Sequence, residues 1–225
     1  MKRKEKVLRR EIIEQCLWMN ASGLNQGTSG NISARYGDTM LITPSATPYD
    51  QMEPEMIAAM PLDGEYGAWS GPLNPSTEWR FHLDIMLARP EVGAIVHTHS
   101  TFATILSIGR RSIPACHYMV AVFGGNSVNC ADYATYGTKE LSQNALMALE
   151  GRSACLLANH GMIATGATLG KAMWAAVELE TLARQYYHAA LAGGVVILPD
   201  EEIERVRAKI ATYGHQAPAE RIAKA

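Results

Sequence analysis

The stretch Ile32-Ser33-Ala34-Arg35-Tyr36-Gly37-Asp38-Thr39-Met40-Leu41-Ile42-Thr43 decides the fold class of this chain. Two short runs of strand-forming residues, Ile32–Tyr36 and Met40–Thr43, flank a Gly37-Asp38 turn, and that pattern predicts an antiparallel hairpin. Upstream, residues from about Lys4 to Ser22 show the apolar spacing of a helix, with Gly23 as its stop signal. Downstream, strands and helices alternate. Thr77–Arg89 reads as a helix with Ser76 or Thr77 as its N-cap, Glu78 in its first turn and Pro90 closing it. Ala94–His99 reads as a strand, Thr101–Ile108 as a helix, Thr138–Ala148 as a helix and Ala154–Ala158 as a buried strand. Leu169–Ala192 is a long helix with alanine on its packing face, and Asp200–Thr212 is a last helix with an acidic start. Prolines 44, 48, 54, 61, 72 and 75 mark a region of loops and short elements, and a strand-rich middle is expected around Gly124, Gly125 and Gly137. Hairpin strands first and alternating elements later predict an α/β protein, a three-layer α/β/α sandwich, in place of a strictly alternating parallel fold.

Composition fits one such unit. The chain has 225 residues, 48% of them hydrophobic and 19% charged, enough for a full core in a single domain, residues 1–225. A mobile tail is expected from about residue 214. Net charge is −2, and the one dense basic stretch, residues 1–10, continues into an apolar-periodic segment. It reads as a solvated helix face and lacks the aromatic platform of a nucleic-acid surface. Cys16, Cys116, Cys130 and Cys155 form no C-x-x-C pair, so free thiols and a reducing, cytoplasmic setting are expected. No signal-peptide pattern opens the chain. Its apolar stretches, such as Ala189–Leu198, are too short to span a bilayer.

Chemistry concentrates at three histidines. Alternate residues of a strand share a face, so His97 and His99 in Ile95-Val96-His97-Thr98-His99 point the same way. An isolated H-x-H is weak; ordinary polar strand residues explain it as well. Leu156-Leu157-Ala158-Asn159-His160-Gly161 adds a third histidine at a turn after a buried strand. Three imidazoles with an open fourth position form a catalytic zinc arrangement. Glu78 offers a carboxylate as a fourth ligand or as an acid/base, against the plainer reading of a charge complementing a helix dipole. Two nearby segments suit an anion. Asn74-Pro75-Ser76-Thr77-Glu78 supplies hydroxyls and free N–H groups at a helix start. Gly27-Thr28-Ser29-Gly30-Asn31 is a glycine-rich turn that matches neither a Walker loop nor G-x-G-x-x-G. Together they predict a phosphate held beside a divalent metal.

These motifs resemble the class II aldolase/adducin family. The matching segments are Gly23–Asn31, Leu41-Ile42-Thr43-Pro44, Pro75-Ser76-Thr77-Glu78-Trp79-Arg80-Phe81-His82 and His97-Thr98-His99. They continue with Ile113–Met119, Tyr133–Thr138 and Asn159-His160-Gly161. The likeness runs from the first helix to Thr212-Tyr213-Gly214. It implies a mainly antiparallel central sheet and a homotetramer of fourfold symmetry with sites at subunit boundaries. It implies one Zn2+ per subunit on His97, His99 and His160, with Glu78 ligating the metal and then serving as proton carrier. Gly30, Asn31, Ser45, Ala46, Ser76 and Thr77 match phosphate-binding positions, and Tyr136 stands near the aldehyde side. Tyr118 is similar to a tyrosine that reaches a neighbouring subunit's site, and Tyr213 to one that helps close the site. The implied activity is reversible cleavage of a ketose 1-phosphate to dihydroxyacetone phosphate and an aldehyde. L-fuculose 1-phosphate and a 5-deoxy- or 5-methylthio-pentulose 1-phosphate are the implied substrates. The sequence departs from the family twice. Ser45-Ala46 replaces Thr-Gly, and Tyr136 replaces a phenylalanine.

The same superfamily holds sugar-phosphate 4-epimerases, a methylthioribulose-phosphate dehydratase and non-enzymatic adducin-like binding modules. Epimerases typically carry Asp at the position of Glu78 and lack the His117-Tyr118-Met119 pattern. Adducin-like heads lose the metal ligands, which are all present here.

Overall fold

A computed structural model describes residues 2–212. The expected hairpin is its second element. Helix α1 (Arg3–Ala21) leads through the turn-rich loop to strands β1 (Asn31–Tyr36) and β2 (Thr39–Ile42). These pair antiparallel about the Gly37-Asp38 turn, Tyr36 opposite Thr39 and Ser33 opposite Ile42. Strand β3 (Ala58–Pro61) adds to the edge of β2. Then follow α2 (Trp79–Ala88), β4 (Ala94–Thr98), α3 (Thr101–Ile108), β5 (Asn129–Ala131), α4 (Lys139–Ala148), β6 (Ala154–Leu157), β7 (Gly161–Gly166), α5 (Leu169–Leu191) and α6 (Asp200–Thr212). One seven-stranded sheet runs β3-β2-β1-β4-β7-β6-β5. Every neighbouring pair is antiparallel except β5 with β6.

Strand alternation builds two cores on opposite faces of this sheet. In β4, Ala94 and Val96 join the cluster that also holds Ile12 and Cys16 of α1, Ala103 of α3 and Ala176 and Leu179 of α5. Ile95 faces the other way, among Phe81 and Ile85 of α2 and Leu141 and Ala145 of α4. The result is the expected α/β/α sandwich. The small residues Ala172, Ala175, Ala176 and Ala183 line the buried side of α5, which lets that helix lie close on the central strands. Thr138 and Thr168 cap α4 and α5, their side-chain oxygens accepting from the N–H groups of Leu141 and Lys171.

Several local expectations need correction. Helix α2 starts at Trp79, and Glu78 is its N-cap residue, without a side-chain cap bond. Ser76 and Thr77 precede the helix; the Ser76 hydroxyl accepts from the Glu78 N–H at 3.3 Å. The region expected to be rich in strands instead forms a 3-10 helix, Tyr118–Phe123, which buries Val120, Ala121 and Phe123, and contributes only the short β5. Strands β3 and β7 were not anticipated. β7 is buried on both faces, so it lacks the polar alternation that marks a half-exposed strand.

Candidate metal centre and active site

One end of the sheet gathers the candidate residues, because β1 and β7 begin there and β2, β4 and β6 end there. His97 is next to last in β4, opposite Asn31 of β1 and Ile163 of β7. It is fully buried and shares the α2/α4 face with Ile95. His99 follows two residues later, its ring 5.0 Å from that of His97. His160 sits in the turn between β6 and β7, where Leu157 pairs with Gly161. Its ring centroid lies 4.9 Å from those of His97 and His99. Asn159 takes a left-handed backbone conformation in this turn, φ +54°. Gly161 leaves no room for a side chain: a Cβ there would meet the Thr98 carbonyl at 2.6 Å and the His99 ring at 2.9 Å. From the opposite side, Glu78 at the head of α2 brings its two oxygens within 3.1 Å of His97 Nε2 and His160 Nε2.

The ligand atoms of Glu78, His97, His99 and His160 all lie within 4.8 Å of one another. Glu78 Oε1, His97 Nε2 and His99 Nε2 are buried without a hydrogen-bond partner, a costly state for polar atoms unless another group satisfies them. His97 Nδ1 lies 2.9 Å from the Met162 carbonyl. A carbonyl only accepts, so Nδ1 carries a proton and Nε2 is the nitrogen turned to the centre, the orientation of a metal-ligating histidine. Burial, reinforced by His97 and His160, holds His99 down at about 4, so its imidazole is neutral. Burial alone would raise the Glu78 carboxyl, but His97 and His160 outweigh it and hold it below the ordinary carboxylate range. An ionised carboxylate facing imidazole nitrogens offers the donor types that a divalent cation takes. The donor set fits a metal ion.

A cleft of about 380 Å³ opens beside this cluster, large enough for a small phosphorylated sugar. Thr28, Ser29, Gly30, Asn31, Ser45, Ala46, Ser76, Thr77, Glu78, His99, Tyr136 and His160 are among the residues lining it. Two backbone runs lie side by side there: Ser45 N–H donates to the Asn74 carbonyl at 3.0 Å, and Ser76 N–H to the Thr43 carbonyl at 2.9 Å. Gly30 is required by close packing, since a Cβ would sit 2.8 Å from Asn25 Oδ1 and 2.9 Å from the His97 carbonyl. Ala46 stands in the left-handed region at φ +51°, which explains physically why glycine suits that position.

Asn31 does more than its assignment to phosphate implied. Its Nδ2 donates to Glu78 Oε2 at 2.9 Å, and its Oδ1 lies 2.5 Å from His82 Nε2. His82 Nδ1 lies 2.7 Å from Ser33 Oγ. His82 is fully buried; that burial, foremost, pushes its imidazole down to about 3.

The structure thus brings His97, His99, His160 and Glu78 together, with the expected phosphate-side residues and Tyr136 around them. Tyr118 does not line this cleft. It is half exposed and stacks on His117, ring centroids 4.7 Å apart. Tyr213 lies outside the described residues. Tyr133, Ala134 and Pro44 also line the cleft and were missed as site residues. Tyr133 carries no spacing signal of its own; only its place two residues before Thr135-Tyr136 could have suggested it.

Comparison with known proteins agrees with this geometry. The profile of the family described as class II aldolase and adducin N-terminal domain matches residues 10–187. A 5-methylthioribulose-1-phosphate/5-deoxyribulose-1-phosphate aldolase from Rhodospirillum rubrum is 51% identical over 93% of this chain and 94% of its own length. An L-fuculose phosphate aldolase from Escherichia coli strain K12 is 49% identical over 92% of this chain and 95% of its own. Among solved structures, an L-fuculose 1-phosphate aldolase superposes with a TM-score of 0.86 at 40% identity, covering 91% of this chain and 96% of that one.

Proposed function

The chain belongs to the class II aldolase and adducin family, and from that premise we propose that it reversibly cleaves ketose 1-phosphates with an apolar far end, on a zinc centre. It is an aldolase, with a metal-binding group formed by Glu78, His97, His99 and His160. The observation that carries the reading is the set of buried ligand atoms without hydrogen-bond partners beside a cleft lined with hydroxyls. Three imidazoles and one carboxylate suit zinc. The proposed substrates are L-fuculose 1-phosphate and 5-deoxy- or 5-methylthio-pentulose 1-phosphates, giving dihydroxyacetone phosphate and an aldehyde. Relatives of nearly equal identity carry these two kinds of name. The two kinds of substrate share a terminal group without a hydroxyl, and Tyr133, Ala134 and Tyr136 give the cleft an aromatic, partly apolar wall for it.

When bound, the metal supplies Lewis-acid polarisation of the substrate's carbonyl. The chain's own residues do the rest. Thr28, Ser29, Ser45, Ser76 and Thr77, with the backbone at Gly30 and Ala46, hold the phosphate, whose binding energy positions the reacting carbon. In cleavage, the substrate hydroxyl gives up its proton, the carbon–carbon bond breaks with its electron pair left on the donor carbon, and Glu78, having first taken up a proton, delivers it there. In synthesis Glu78 takes that proton away. Tyr118 is assigned the hydroxyl proton at a neighbouring subunit's site in a C4 homotetramer, which accounts for its distance from the cleft of its own chain. Tyr213 is assigned to closing the site. The free thiols of all four cysteines fit a reducing, cytoplasmic setting, and no helix among the described residues is long and apolar enough to cross a membrane. Intact ligands argue against an adducin-like binding role, and the aldolase relatives do not favour an epimerase or dehydratase.

The test is a panel assay. L-fuculose 1-phosphate, 5-deoxyribulose 1-phosphate and 5-methylthioribulose 1-phosphate are incubated with metal-loaded protein, and free dihydroxyacetone phosphate is measured. Release from at least one of them, lost on chelation and restored by zinc, is expected. No release from any of the three overturns the proposal.

A further inference from the structure

Three buried polar groups outside the ligand set, Ser33 Oγ, the His82 ring and the Asn31 amide, form a single file that ends on the acid/base at Glu78 Oε2. Chemistry fixes the direction of this file. An ionised carboxylate has no proton to give, so the group facing Glu78 Oε2 must be the Asn31 NH2. The other end of that amide, Oδ1, is then an acceptor, and the His82 nitrogen 2.5 Å away must carry a proton. A neutral imidazole has only one, so Nδ1 is bare and takes the Ser33 O–H at 2.7 Å.

We infer that His82 is a positioning residue for Glu78: as the neutral Nε2–H tautomer it donates to Asn31 Oδ1 and so turns the amide with its NH2 toward the carboxylate. Turning the amide over would set two acceptors against each other at Glu78 and two donors at His82, both in buried surroundings where unmatched groups are costly. The carboxylate that moves a proton at the donor carbon is therefore aimed from behind by a residue that touches neither substrate nor metal. Ser33 and His82 are wholly buried and Asn31 nearly so, so water does not compete for these contacts.

This inference rests on the acid/base reading of Glu78, and two measurements separate its failure from the failure of that reading. The first needs no activity. In protein labelled with 15N at histidine, the His82 resonances, assigned by their loss in His82→Gln, are expected to show a protonated Nε2 and a bare Nδ1. The opposite tautomer overturns the inference whatever the enzyme does. The second compares metal-loaded variants. His82→Leu fills the space without a donor, whereas His82→Gln keeps an N–H at the reach of Nε2. His82→Leu should lose roughly 10-fold to 100-fold in kcat with KM nearly unchanged, as misplacement of an otherwise intact catalytic group does. His82→Gln should recover most of that loss. Equal losses in the two variants, or none in either, contradict the positioning role. Where His82→Leu fails to fold, the tautomer alone decides. A wild-type protein that releases no dihydroxyacetone phosphate overturns the proposed function and leaves the tautomer to be read on its own terms.

Discussion

Ala46 occupies a left-handed backbone conformation, φ +51°, that costs a residue with a Cβ about 1–2 kcal/mol relative to glycine. Glycine in turn loses more freedom on folding, about 0.4–1 kcal/mol. Ala46→Gly is therefore expected to stabilise the fold by roughly 0.5–1 kcal/mol, a rise of about 1–4 °C in melting temperature for a chain of this size. Thermal unfolding of the two proteins side by side measures it, and a lower melting point in Ala46→Gly contradicts the strain. The departure was legible in the sequence as Ser45-Ala46 in place of Thr-Gly; that the backbone keeps the glycine conformation was not, because φ is set by the packing of residues 43–46 against 74–76. His82 makes a second prediction at this scale. Its folded value, about 3, lies below the ordinary histidine value near 6.5, so the unfolded chain binds the extra proton. Its contribution to stability is complete above pH 6.5 and is lost as pH falls toward 3, by about 1.4 kcal/mol per pH unit between them. Urea unfolding of metal-free protein at pH 6.5 and pH 5 should show wild type losing more stability than His82→Gln. Equal losses would mean that His82 titrates normally.

The turn between β6 and β7 is the element on which the metal centre depends. It must place His160 against two residues at the end of β4, and it does so with Asn159 in the left-handed region and Gly161 pressed on the Thr98 carbonyl. Gly161→Ala pushes a methyl to within 2.6 Å of that carbonyl oxygen, closer than real Cβ contacts allow, so the turn has to shift. The expected result is a folded protein with reduced bound metal, measured by elemental analysis after gel filtration together with circular dichroism. Full metal content would show that the turn adapts. The sequence showed part of this element. Asn159-His160-Gly161 read as a turn, and His97 with His99 followed from strand periodicity alone. Strand β7 did not show, since Gly161–Gly166 is buried on both faces and carries no alternation. The Tyr118–Phe123 segment misled for a related reason: Val120, Ala121 and Phe123 are β-forming or neutral residues, and their burial in a 3-10 turn is decided by contacts with α6 and α5 far along the chain. Glu78 was read correctly as chemistry but placed inside a helix; as the N-cap residue it is free to turn its carboxylate into the centre instead of along the helix axis.

At the scale of the whole molecule, the metal links folding to function. Four ligand residues come from three separate parts of the chain: the head of α2, the end of β4 and the β6–β7 turn. An ion bound there ties the end of β4 and the β6–β7 turn, at one end of the central sheet, to the head of α2. A ligand held at about a thousand times its dissociation constant adds roughly 4 kcal/mol to stability. Chelation is therefore expected to lower the melting temperature and abolish cleavage together, and zinc to restore both. Activity lost without a change in melting temperature would place the metal elsewhere than this buried cluster. The central claim is narrower: that Glu78 carries the proton at the donor carbon of a metal-bound substrate. Hydrogen exchange between solvent and the donor carbon of dihydroxyacetone phosphate, with no aldehyde present, tests it directly. Metal-loaded wild type should exchange that hydrogen, and metal-loaded Glu78→Gln should be slower by about 10²–10⁴-fold. Exchange by Glu78→Gln at the wild-type rate, with metal still bound, would contradict the account.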